Sequence, residues 1–295
     1  MEGKVCVVTG ATGGIGGATA RGLAMRGATV LLVARDAVRG EALRDSIARE
    51  TGNERVRLVR ADLSSQAEVR AAAAEIAAAH PRVDVLVNNA AVYTRKRAES
   101  VDGIELQWAV NHLAPFLLTH LLLDRLRAAG GARVITVSSG AHKGRFIPWD
   151  DTEMRRRYFG WRTYGVTKLA NLLFTRELAR RESGIVAHAM HPGVVATELL
   201  MRGFPPIRLF RRFLKTPEEG AATVLFLATS PEAARSTGMY WIDERPAEPD
   251  PAALDDEAAR RLWRWSEERV GPSPGSLQLP PSPTNSRGRG GVGSA

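Results

Sequence analysis

Apolar residues fall in short near-continuous runs separated by longer mixed segments. Residues 4–9 (KVCVVT), 29–33 (TVLLV), 83–87 (VDVLV) and 133–138 (RVITVS) are such runs, the pattern of strands buried on both faces. Further runs at 55–60, 185–190 and 238–242 (GMYWI) complete seven expected strands. Helical patterning fills the intervals. It runs from a glycine-rich turn to about Arg26, from Asp36 to near Gly52, and through an alanine-rich stretch at 65–79. It continues over 99–128, interrupted around Asn111 to Pro115, then over 163–182 and an amphipathic 251–270 carrying Leu262, Trp263 and Trp265. Gly27 suits the end of the first helix. Strands alternating with helices imply an α/β fold: a single doubly wound, parallel, seven-stranded sheet with helices on both faces.

Two segments break the rhythm. Residues 140–162 separate the fifth strand from its helix and are dense in Trp, Arg and Asp. Residues 196–215 follow the sixth strand and mix apolar positions with Arg202, Arg208, Arg211, Arg212 and Lys215. Both leave the C-terminal ends of strands, where open α/β sheets bind ligands. They are read as substrate loops, the second as a lid over an apolar substrate. Its apolar and basic mixture also suits an anionic membrane surface. From Gly271 onward the chain is rich in Pro, Ser and Gly, so disorder is expected over 271–295. Residues 1–270 then form one domain.

Composition narrows the classes. The chain has 295 residues, 44% of them hydrophobic and 25% charged, enough to bury a core without staples. One cysteine, Cys6, excludes an internal disulfide and a thiolate zinc cage; mid-strand, it reads as a small buried apolar residue. No run of about 18 apolar residues suggests a membrane span. The N-terminus runs directly into VCVVTG, leaving no room for a signal peptide. A cytoplasmic location is expected. The net charge of +9 comes from dispersed basic residues, read as solvated helix faces rather than a nucleic-acid surface.

Three constellations carry chemistry. Thr9-Gly10-Ala11-Thr12-Gly13-Gly14-Ile15-Gly16 lies between a buried strand and a helix. Glycines there let backbone approach a pyrophosphate, and the helix start offers free N–H groups and a positive dipole end. The spacing is Gly-x-x-x-Gly-x-Gly, not the commoner G-x-G-x-x-G. Asn88-Asn89-Ala90-Ala91 ends the fourth strand, where an Asn pair can hold a neighbouring strand end or simply turn the chain. Tyr164 and Lys168 stand at i and i+4 after Ser138-Ser139, so they share a helix face at roughly 5–6 Å. A free phenol, with a pKa of about 10, is too weak an acid for neutral pH. An ammonium ~5 Å away contributes roughly 3 kcal/mol at an effective dielectric of ~20, or ~2 pKa units. A phenol tuned in this way can exchange a proton with a carbonyl oxygen, and the Ser139 hydroxyl can stabilise charge on it. His142 lies near enough in sequence to touch a substrate there, whereas His191 reads as structural.

In these motifs and their order the chain resembles the short-chain dehydrogenase/reductase superfamily over about residues 3–270, in the branch with a T-G-x-x-x-G-x-G loop. More closely it is similar to the retinol-dehydrogenase-like subgroup. That likeness rests on VNHLAPFLLTHLLL (110–123), VITVSSGAHKG (134–144), YGVTKLANLLFTRELARR (164–181), HPGVVATEL (191–199) and ARRLWRWSEERVG (259–271). The resemblance implies a Rossmann-type fold and hydride transfer between a nicotinamide and a carbonyl or alcohol, expected here to be lipophilic. It implies Tyr164 as the acid/base group and Ser139 as the residue placing the substrate oxygen. Lys168 would lower the tyrosine pKa and hold the nicotinamide ribose. Asn111 would bend its helix and hold a water in the proton relay. Gly10, Gly14, Ile15 and Gly16 would line the pyrophosphate, with Thr12 in the same loop. Asp62 and Leu63 would hold the adenine, Asn88 and Ala90 the adenosine ribose. Pro192, Gly193, Val195 and Thr197 would grip the nicotinamide amide.

Members preferring NAD place an acidic residue at the end of the second strand. Here Ala34 is followed by Arg35, which can pair with a 2′-phosphate. NADP(H) is therefore favoured. NAD(H) stays the alternative, because Asp36 follows directly and Gly13 stands where some NADP-dependent members carry a second basic residue. NNAA replaces the usual NNAG, and Ser139 and Tyr164 are 25 positions apart, a long interval that marks 140–162 as a substrate-side insert. The expected partner is a small molecule, without nucleic acid or an integral membrane segment. Homo-oligomers form through flat helical faces in many members. The contrasting expectation is a catalytically silent nucleotide-binding regulatory protein of the same fold, against which the complete Asn111, Ser139, Tyr164 and Lys168 set argues.

Overall fold

The computed structural model describes residues 1–203 and 214–271. The rest of the predicted lid and the predicted tail beyond Gly271 lie outside the described residues. The strands are β1 (Val5–Thr9), β2 (Thr29–Ala34), β3 (Val56–Arg60), β4 (Val85–Asn88), β5 (Ala132–Val137), β6 (Ile185–His191), β7 (Met239–Ile242) and β8 (Arg245–Ala247). They form one sheet in the order β3-β2-β1-β4-β5-β6-β7-β8. Neighbours pair in parallel except β7 and β8, which are antiparallel.

The expected seven-stranded parallel sheet therefore gains an antiparallel edge strand. Strand β8 closes a hairpin whose corner, Asp243 and Glu244, has φ of 49° and 61°. Such left-handed corners are usually signalled by Asn-Gly or Asp-Gly. Pro246 argues against a strand except at a sheet edge, where it lies.

The helices are α1 (Gly14–Met25), α2 (Ala37–Thr51), α3 (Gln66–Ala79), α4 (Leu106–Trp108), α5 (Ala114–Leu121), α6 (Leu123–Arg127), α7 (Gly160–Arg181), α8 (Glu198–Gly203), α9 (Pro217–Thr229) and α10 (Asp256–Val270). One core lies between the sheet and α1, α2 and α9, with Leu23, Ile47, Val224 and Leu227 fully buried. The other lies under α3 to α7 and α10, around Trp108, Leu117, Leu173 and Leu262. The uniformly apolar central strands follow from this covering of both faces.

The predicted helix over 99–128 starts only at Leu106. Ser100 N–H donates to the Ile104 carbonyl at 2.7 Å, and the Glu105 carboxylate caps α4 by accepting from Trp108 N–H at 2.9 Å. The interruption is a π-turn over Ala109–Leu113. Pro115 has no N–H to give the Asn111 carbonyl four residues earlier. Helix α9 was not anticipated, although Thr216-Pro217-Glu218-Glu219 carries its signal: Thr216 and Glu219 form a reciprocal capping box and Pro217 takes the first turn.

The chain runs outward from β1 to β3, then crosses to β4 on the other side of β1. This reversal opens a crevice beyond the C-terminal ends of β1 and β4. Among the described residues no helix is long and apolar enough to cross a membrane.

Candidate active site

The glycine turn is built by close approach. Gly10, at φ 65°, is so near β4 that a Cβ would lie 2.8 Å from Ala90 Cα. A Cβ on Gly16 would lie 2.5 Å from both the Gly10 carbonyl oxygen and Asn89 Nδ2. Helix α1 starts here with no side-chain cap and no acidic residue in its first turn. Its N-terminal N–H groups are thereby left for an anion in the crevice, beside Gly13, Gly14 and Ile15. Gly16→Ala is expected to push the loop off Asn89, weaken dinucleotide binding by about tenfold or more, and destabilise the fold by about 1–3 kcal/mol. Fluorescence titration and thermal unfolding check both.

The Asn pair divides its work. Asn88 is buried and donates to Thr119 Oγ1 at 3.2 Å, away from the crevice; its expected contact with a ribose is not provided by its side chain. Asn89 faces the glycine turn, donating to the Thr9 carbonyl at 2.8 Å. Thr9 Oγ1 accepts from Asn89 and Ala90 N–H at 3.0 and 3.1 Å. These bonds lock the end of β1 to the end of β4.

Beside the glycine turn the crevice is lined by Arg35, Asp36, Arg39, Asp62 and Leu63. Burial by itself would raise the Asp62 carboxyl. Ser64 N–H and Oγ, with Arg35 beside it, hold it below its ordinary value. Asp36 Oδ1 accepts from Arg39 N–H at 3.0 Å and caps α2. Sequence reasoning passed over Arg39. It folds back from α2 over the glycine turn, its guanidinium 3.4 Å from the Thr12 carbonyl and 3.5 Å from where a Gly13 Cβ would stand. The signal was its position one turn after Asp36.

Ser139, Tyr164 and Lys168 all line the same crevice. Tyr164 and Lys168 come from one face of α7, with Lys168 Nζ 5.5 Å from the phenol ring centre. Ser139 leaves β5, its hydroxyl accepting from Ala141 N–H at 3.2 Å and lying close enough to the phenol to lower it slightly. The expected acidic phenol is not what the protein's own residues produce. Burial pushes Tyr164 up to about 12 against a smaller lowering by Ser139, and burial pulls Lys168 down to about 7. Lys168 is 1% exposed, and its Nζ donates to the Val137 carbonyl at 2.9 Å. That one bond is what the described residues ask of an ammonium with three donors.

Unfolded, Lys168 holds its proton up to its ordinary value of 10.5; folded, only up to about 7. The unfolded chain binds more protons across that window, so stability rises with pH from about 7 toward 10. Lys168→Met is expected to flatten this rise, measured by urea unfolding at several pH values.

Asn111 does not line the crevice. Its amide donates to the Val92 carbonyl at 3.0 Å and Thr167 Oγ1 at 3.1 Å, and accepts from Val92 N–H at 2.7 Å. The side chain thus fastens the segment after β4 to α7. Any relay role falls to its main-chain carbonyl, which the π-turn and Pro115 set apart from ordinary helix bonding.

Two aromatic rings flank the phenol. Trp161 stacks on it at 5.6 Å and 13°, and Tyr93 meets it edge-on at 6.2 Å. With Leu106, Val110 and Val194 they give the crevice an apolar wall. The insert that carries Trp161 is anchored through Glu153, buried and ion-paired to Arg155 and Arg269 at 3.1 Å. His191 lines the crevice, but its Nδ1 accepts from Gly140 N–H at 3.3 Å and burial lowers it to about 4, consistent with a neutral structural residue. His142 is fully buried and does not line the crevice, so the contact with substrate considered for it is not made.

The crevice is about 760 Å³ in volume. It gathers Gly10, Thr12, Gly14, Ile15, Arg35, Asp62, Leu63 and Ala90. Ser139, Tyr164, Lys168, Pro192, Gly193, Val195 and Thr197 complete it. Of the expected site residues, Gly16, Asn88 and Asn111 support it from behind.

Residues 4–206 match the family described as short chain dehydrogenase. Human retinol dehydrogenase 12 is 41% identical over 276 residues, covering 92% of this chain and 87% of that protein. Human retinol dehydrogenase 13 is 40% identical, covering 96% and 89%. Among solved structures, an uncharacterised protein from Mycobacterium Paratuberculosis superposes with a TM-score of 0.75 at 34% identity, covering 91% of this chain and 94% of that one. L-Sorbose reductase from Gluconobacter frateurii, complexed with NADPH and L-sorbose, superposes with a TM-score of 0.67 at 25% identity, covering 82% and 95%.

Proposed function

The chain belongs to the short-chain dehydrogenase family, and from that premise we propose that it transfers a hydride between NADP(H) and a lipophilic carbonyl or alcohol, with Tyr164 as the acid/base group. The observation that carries this reading is the convergence of Ser139, Tyr164 and Lys168 on the crevice that also holds the glycine turn. A dinucleotide fits the residues present. The glycine cradle admits backbone to a pyrophosphate, the start of α1 is uncapped, and the buried Lys168 ammonium has donors to spare for ribose hydroxyls. A bound nicotinamide would supply the hydride donor or acceptor and, when oxidised, a positive charge.

The chain's own groups do the rest. The Ser139 hydroxyl and the Tyr164 phenol meet where a substrate oxygen would sit, and stabilise charge developing on it. Tyr164 gives that oxygen a proton in reduction and takes it back in oxidation. With Lys168 protonated, its charge opposes the burial that alone keeps the phenol near 12. The Tyr93 and Trp161 rings favour an apolar body next to the reacting carbon, in keeping with the retinol dehydrogenases among the relatives. Arg35 and Arg39 together favour a 2′-phosphate.

The test is an NADPH-oxidation screen over aliphatic aldehydes, retinal, steroids and quinones. Turnover of an apolar carbonyl is expected. Tight NADPH binding without turnover of any of them would instead establish the silent nucleotide-binding protein.

A further inference from the structure

We propose that His142 is a positioning residue: its two ring nitrogens tie the main chain of Ser139 to the C-terminal segment around Asp250, so that the packing of this segment holds the Ser139 hydroxyl in place. This rests on the reading of Ser139 as the residue that places the substrate oxygen.

The geometry fixes the proton. Nε2 lies 3.2 Å from Asp250 N, a backbone N–H that can only donate. Nε2 is therefore the unprotonated nitrogen. Nδ1, 2.6 Å from the Ser139 carbonyl oxygen, then carries the proton and donates it there. The same carbonyl also accepts from His142 N–H at 3.1 Å. The far end of the strut is itself held, since the Asp250 carboxylate accepts from Gly144 N–H at 2.8 Å and Ala252 N–H at 3.0 Å. The imidazole is fully buried, with its ring edge-on to Tyr240 at 5.3 Å. Burial keeps it neutral, as both bonds require. His191 grips the next residue from the crevice side through Gly140 N–H. Residues 139 and 140 are thus clamped from two directions, and among the described residues His142 ties them to chain more than 100 positions away.

Three variants separate the two bonds. His142→Asn keeps a donor where Nδ1 stands and gives up the reach to Asp250. His142→Gln reaches toward Asp250 and gives up the bond to Ser139. His142→Leu loses both. Misplacing a reacting group by about 1 Å costs up to ~10²-fold. The expected kcat is accordingly at least about tenfold down in the Gln and Leu variants and within about threefold of wild type in Asn, with KM for NADPH unchanged in all. A Leu or Gln variant with wild-type kcat would overturn the proposal, as would kcat values ranked by melting temperature rather than by the Ser139 bond. If the Leu variant does not fold, the Asn and Gln pair decides. Nitrogen-15 spectra of the histidines give a readout independent of turnover: a proton on Nε2 of His142 overturns the strut, a proton on Nδ1 supports it. Wild-type protein inactive on every carbonyl defeats the reading of Ser139, not the tautomer, so the two failures are distinguishable.

Discussion

Tyr164→Phe is expected to lower turnover by ~10²–10⁴-fold, the usual worth of a positioned proton-transfer group, while NADPH binding stays within about twofold. The substitution removes one oxygen from a ring that is already locked. The ring is 8% exposed, stacked on Trp161 at 5.6 Å and met edge-on by Tyr93. The Phe ring keeps those contacts, so a fall in kcat measures the hydroxyl alone. Stopped-flow turnover with NADPH titration by fluorescence separates chemistry from binding. A variant with more than a tenth of wild-type kcat would remove Tyr164 from the role assigned to it.

The second large effect concerns the choice of dinucleotide. Arg35→Ser combined with Arg39→Ser is expected to raise KM for NADPH by ~10²-fold or more while leaving NADH nearly unchanged, since each charge-assisted bond to a phosphate is worth about 1.5–3 kcal/mol. Both guanidiniums line the crevice beside the glycine turn. Arg35 is 75% exposed and only 3.5 Å from Asp62, a long pairing. Arg39 stands 3.5 Å from Glu198 and 3.4 Å from the Thr12 carbonyl. Asp36, the residue that kept NAD(H) open, spends a carboxylate oxygen capping α2. On the proposed reading Arg39, which reaches over Gly13 from the next helix, would supply the basic group that position lacks. Comparison of kcat/KM for the two dinucleotides settles the matter, and a wild-type preference for NADH would end the proposal.

The elements most accurately legible in sequence were those with local causes. The apolar runs announced β1, β2, β4 and β5 because burial on both faces leaves no room for polar alternation. Asp36 announced a helix start through its own side-chain cap, and Ser65 caps the next helix in the same way. The break near Asn111 followed from Pro115. Strand β8 escaped because its corner uses Asp243 and Glu244 in a conformation that glycine or asparagine normally signals. Helix α9 escaped although its capping box was in plain view.

The residue types of the site, their order and their spacing were determined by the chain alone: glycines between strand and helix, a serine closing β5, a tyrosine and a lysine one helical turn apart. Tertiary structure decided how those groups behave. A phenol beside an ammonium reads as acidic when only the pair is considered, because Coulomb attraction depends on their separation. Folding adds the loss of water around both, and that drives Tyr164 to about 12 and Lys168 to about 7. The same holds for Arg39 over the glycine turn, for Asn88 facing away from the crevice, and for His142 bracing Ser139. Each depends on which strands and helices become neighbours, and spacing along a chain does not encode proximity between distant segments.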